Sequence, residues 1–138
     1  MKNKKLQVTS YKLQDRICFL GHVPHAELFQ YYSISDVFVR PSLSEGMGNS
    51  FIEAMAAGVP IIGTAVGGIT DFLKDRETGF VCKVKDPESI AEQVKFIISP
   101  QNASAVDLVA KNARILVEGK YDWDKIAGDM KNIFERFA

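Results

Sequence analysis

Two carboxylates bracket a glycine loop in this chain. Glu45 and Glu53 stand with seven residues between them, inside the stretch SEGMGNSFIEAMAAG at 44–58. Gly46 and Gly48 lack a Cβ, so the backbone there can approach a ligand closely and reach positive φ. A helix starting just after them would aim unpaired N–H groups and the positive end of its dipole into the loop. Carboxylates, bare backbone donors and a helix start together make a place for an anionic or polyhydroxylated ligand. A structural reading stands beside this one. Ser50 and Glu53 fit a capping box, each satisfying a backbone donor at the helix start, and a lone G-x-G is weak evidence.

Four short apolar runs are expected as strands: 16–20, 37–40, 59–63 and 79–82. The continuous run ending at Gly21 reads as a fully buried parallel strand. Between them lie helical patterns. Pro24 sits where a first helical residue belongs, with Ala26, Leu28, Phe29 and Tyr32 as a stripe. The glycine loop feeds a helix over 50–57 that stops at Gly58 before Pro60. Shorter helical segments are expected over 3–13 and 70–74, and longer ones over 88–98, 103–118 and 122–137. Strands alternating with helices predict an α/β fold, a Rossmann-like parallel sheet of about four strands. In such sheets ligands sit at the carboxyl ends of strands, where the loop at 42–48 falls.

Composition narrows the function. The 17 basic and 17 acidic side chains cancel, which argues against a nucleic-acid partner. The lysines among the first five residues read as a solvated terminus. No apolar run approaches the roughly 18 residues that span a bilayer, and no signal-peptide pattern follows the N-terminus. Cys18 and Cys82 each fall in an expected strand, reading as small buried hydrophobes in a reducing cytoplasm. His22 and His25 are the only histidines and have no cysteine near them, so no metal site is expected. Met47 and Met55 read as packing residues, and Trp123 as the anchor of the last helix.

The motifs EGMG at 45–48, EAMAAGVP at 53–60, VGG at 66–68 and TGFV at 78–81, in this order, resemble the signature of retaining, nucleotide-sugar-dependent glycosyltransferases of the GT-B type. FLG at 19–21 and DVFVRPS at 36–42 fit the same pattern, so the resemblance spans 16–137. It implies a single domain over 1–138, the C-terminal donor-binding half of a two-domain enzyme, without its first βα units or the N-terminal acceptor domain. By resemblance Glu45 is the catalytic-site carboxylate against the donor sugar. Gly46, Met47, Gly48, Asn49 and Ser50 hold sugar hydroxyls or the diphosphate. Glu53 accepts both ribose hydroxyls, and Gly21, His22 and Val23 line the base pocket.

The resemblance implies a nucleotide sugar such as a UDP- or GDP-sugar as substrate, with no cofactor or metal. The Arg and Lys that neutralise the diphosphate in the family fall in the unit this chain is expected to lack, so the chain alone is expected to be inactive. The turn after Gly68 also departs from the pattern: Asp71 stands where a Pro-Glu pair is commoner. The family strand order 3-2-1-4-5-6 would leave the strand at 16–20 two places from the one at 37–40, an unpaired edge. Direct pairing across the gap, or a homodimer, would resolve it. Partners are the donor and an acceptor domain or second chain; a membrane-proximal acceptor is compatible with the family. Rival readings are an assembly module, a truncated remnant and, fitting the carboxylate spacing less well, a sugar-nucleotide epimerase.

Overall fold

The computed structural model describes residues 16–137; the helix expected over 3–13 and the lysine run lie outside them. Three strands, β1 (Phe38–Arg40), β2 (Ile61–Thr64) and β3 (Phe80–Cys82), form a parallel sheet in the order β1-β2-β3. Phe38 pairs with Ile61, and Ile62 with Phe80. All four residues of β2 are buried, as a central strand covered on both faces requires. The described residues also form five α-helices: α1 (His25–Ser33), α2 (Asn49–Ala56), α3 (Pro87–Ile98), α4 (Ala103–Lys120) and α5 (Trp123–Glu135).

Alternation along β2 sorts the core into two clusters. Ile61 packs with Phe51 and Met55 of α2 and with Phe72, Ala113 and Val117. Ile62 packs with Phe80, Ile97, Val106 and Val109 on the opposite face. Helix α4 therefore serves both clusters, its first half one and its second half the other. A chain of aromatic rings runs through the first cluster, with centroids 5.9 Å apart for Tyr32–Phe38, 5.2 Å for Phe38–Phe51 and 6.0 Å for Phe51–Phe72. Tyr121, at the end of α4, closes the chain at 6.1 Å from Phe72.

Several expectations are corrected. Residues 16–20 do not form the fourth strand; they are exposed, with Phe19 79% accessible, and Cys18 is exposed rather than buried. Within the described residues β1 pairs with β2 alone, so the gap does not close by direct pairing. An apolar run without a ladder partner leaves its backbone polar groups to water and stays coil. Trp123 does not anchor the last helix: it is 78% exposed and α5 buries none of its residues. Tyr121, two residues earlier, takes the anchoring position. The segment expected over 70–74 is a 3-10 turn at Gly67–Asp71, seated by the buried Ile69.

Phe51 lies fully buried at the middle of the aromatic chain. Phe51→Ala should cost about 3–5 kcal/mol in denaturant unfolding. A loss below about 1 kcal/mol would show that the ring chain does not hold α2 to the sheet.

Candidate functional site

The site is built at the carboxyl ends of β1 and β2. Thr64, the last residue of β2, is fully buried, and its hydroxyl donates to the Ser42 carbonyl at 2.6 Å and accepts from the Ser42 N–H at 3.0 Å. That double bond fixes where the loop leaves β1. The loop is then pinned by the 3-10 turn: the Gly68 N–H donates to the Glu45 carbonyl at 3.3 Å. The fit needs glycine. A Cβ on Gly68 would lie 2.5 Å from the Gly46 carbonyl oxygen, and one on Gly67 would fall on the Glu45 carbonyl oxygen.

Gly48, at φ 70°, makes the left-handed turn into α2 and is its N-cap. No side chain caps this helix. The capping-box reading is therefore overturned: Ser50 is already inside the first turn, and Glu53 reaches away from it. The first N–H groups of α2 face the loop without a side-chain acceptor.

The two carboxylates have separate partners. Glu45 Oε2 lies 2.7 Å from Arg40 Nη2 and accepts from the Ser42 hydroxyl at 3.3 Å. Arg40 also donates through Nη1 to Ser50 Oγ at 2.5 Å. Glu53 stands four residues after Asn49, on the same helix face. Its Oε1 is 3.0 Å from His25 Nε2, and its Oε2 accepts from the Tyr32 hydroxyl at 3.1 Å. A cleft of about 260 Å³ opens beside it, lined by His25, Met47, Asn49, Trp123 and Ile126 among others.

Of the residues singled out in the sequence, Met47, Asn49 and Glu53 share this cleft, while Glu45 and Ser50 are joined through Arg40. Gly21, His22 and Val23 form the coil ahead of α1, Gly21 at φ 70°, with no hydrogen bond to the loop among the described residues. Sequence reasoning missed Arg40 and Tyr32 as members, and placed the His25 side chain only at the flank of the pocket, whereas it meets Glu53. The signal for Tyr32 was its place on the α1 stripe, and for Arg40 the lone charge ending an apolar strand.

The Tyr32 phenol is pushed up to about 12, first by burial, then by its bond to Glu53 and that group's charge, with Arg40 opposing. The folded protein holds this proton more tightly than an unfolded chain does, whose tyrosine stays near 10.0. The contribution to stability is thus complete below pH 10 and is lost as pH rises toward about 12. In a spectrophotometric phenolate titration, Tyr32→Phe should remove a phenol that titrates near 12 and flatten the alkaline fall in stability. For the loop, Gly68→Ala should cost about 1–3 kcal/mol and shift the amide resonances of Glu45 to Gly48. An unchanged loop spectrum would mean that the turn does not hold it.

The model of the family "Glycosyl transferases group 1" matches residues 1–116. A glycosyltransferase of Methanocaldococcus jannaschii is 34% identical over 123 residues, covering 89% of this chain and 31% of that protein. Sucrose-phosphate synthase from Thermosynechococcus elongatus superposes with a TM-score of 0.83 at 34% identity, over 91% of this chain and 31% of that one. Anabaena HepE, solved in complex with UDP and glucose, shares the fold at a TM-score of 0.82 and 21% identity, over 90% of this chain and 33% of its own. This chain spans about a third of the length of these proteins, and its sheet and helices match the C-terminal half of GT-B glycosyltransferase structures. The chain belongs to the glycosyl transferases group 1 family.

Proposed function

We propose that this chain is the donor-binding part of a retaining glycosyltransferase, which moves a hexosyl group from a nucleoside diphosphate sugar to an acceptor hydroxyl. The observation that carries the reading is the loop of Glu45 to Gly48. It sits at the strand carboxyl ends, runs into the uncapped start of α2, and has a carboxylate on each side. Glu45 is assigned to the donor sugar and Glu53 to the ribose diol. A carboxylate has about four acceptor positions, so Glu53 can bond His25 and Tyr32 and still receive two hydroxyls.

Departure of the diphosphate from the anomeric carbon builds negative charge. The loop N–H groups and the α2 dipole would stabilise that charge where it develops. Support for the donor class comes from Anabaena HepE, whose structure holds UDP and glucose. The acceptor side is assigned to a partner surface, an N-terminal domain or a second chain. The apolar side chains Trp123, Ile133 and Phe134 of α5, all exposed, support this assignment.

Calorimetric titration with UDP, GDP and ADP, each alone and as its glucose conjugate, tests the reading on wild type and Glu53→Ala. One base should be preferred, and Glu53→Ala should weaken binding about ten-fold or more, as loss of hydrogen bonds to a charged group does. A folded protein that answers to none of the six compounds would sink it.

A further inference from the structure

Arg40 ends β1, a strand otherwise apolar. Side chains two apart on a strand share a face, so Arg40 lies on the side of Phe38, whose ring packs on Phe51 of α2. This puts the guanidinium beside the first turn of α2, where one nitrogen bonds Ser50 and another Glu45. A planar guanidinium fixed by two partners holds a direction as well as a charge.

Its effect on Glu45 is one-sided. Arg40 and Ser42 both meet Oε2, while Oε1 accepts no hydrogen bond among the described residues. The Glu45 side chain is only 17% exposed and that of Arg40 43%, so the pair sits at the rim of the site. A partly exposed pair of this kind adds little to stability. The contact's weight lies in orientation.

We propose that Arg40 is a positioning residue for Glu45: gripping one carboxylate oxygen, it presents the other to a hydroxyl of the donor's sugar and ties it to the start of α2 through Ser50. The inference rests on the donor-site reading and assigns Arg40 no contact with the ligand. It makes recognition of the sugar, as distinct from the nucleotide, depend on a residue outside the glycine loop.

The test is the ratio of affinities for the glucose conjugate and the bare nucleoside diphosphate, measured with UDP, GDP and ADP on Arg40→Ala, Arg40→Lys, Glu45→Gln and the Arg40→Ala/Glu45→Gln double variant, with thermal melts confirming folding. Arg40→Ala should lower that ratio about ten-fold and change the affinity for bare diphosphate less than about two-fold. Glu45→Gln should lower the ratio equally, the double variant no further, and Arg40→Lys should recover part of it. Equal weakening of both ligands by Arg40→Ala, or additive losses in the double variant, would overturn the inference while leaving the donor site standing. A wild-type protein that binds no nucleotide would overturn both. If Arg40→Ala melts out, the inference is decided on Arg40→Lys, whose single point charge should still lower the ratio; an unchanged ratio there counts against it.

Discussion

Backbone lies directly on backbone where the turn at Gly67 and Gly68 crosses the loop at Glu45 and Gly46. Only hydrogen atoms fit between the two segments, since a Cβ on either turn glycine would meet a carbonyl oxygen of the loop. The Gly68 N–H bond to the Glu45 carbonyl ties loop to turn, and Thr64 of β2 ties the loop's start at Ser42 to the sheet. Gly63 extends the same device into the core, because a Cβ there would stand 2.8 Å from the Phe51 ring. Missing side chains let two strand ends, a turn and a helix meet at one place.

Rigidity of the loop would count for little if α2 could slide. Phe51 prevents that by entering the ring chain that reaches from Tyr32 to Tyr121. Helix α1 buries no residue of its own, yet Tyr32 rests on Phe38 and bonds Glu53. One phenol thus belongs to the core through its ring and to the site through its hydroxyl. Packing of an otherwise exposed helix and orientation of Glu53 become the same event.

Much of this was legible in the residues because it is local. The Ile-Ile run of β2, the stop at Gly58 before Pro60 and the spacing of Glu45 and Glu53 each follow from periodicity or turn chemistry, and β1, β2, β3 and α2 lie near their expected places. What failed is non-local. The run at 16–20 has the composition of a strand, but a strand exists only with a neighbour to accept its hydrogen bonds. Ser50 and Glu53 have the spacing of a capping box, but Gly48 takes the cap and His25 and Tyr32 take Glu53. Trp123 has the bulk of an anchor, but Tyr121 reaches Phe72 first. Each of these outcomes was settled by competition among partners far apart in sequence.

The two carboxylates are held by different chemistry, and that difference orders the site. Glu45 is met by a guanidinium, so its charge is balanced at one oxygen before any ligand arrives. Glu53 is met on one side by a phenol that keeps its proton across the neutral range and on the other by an exposed imidazole. The phenol is a neutral donor and leaves the carboxylate its full negative charge. A neutral diol suits such a group, since it offers two more donors and brings no charge of its own. Glu45 stands at the loop's entry, and Glu53 a turn into α2. On the donor-site reading, the carboxylate met by the guanidinium takes the sugar and the one met by the phenol takes the ribose diol.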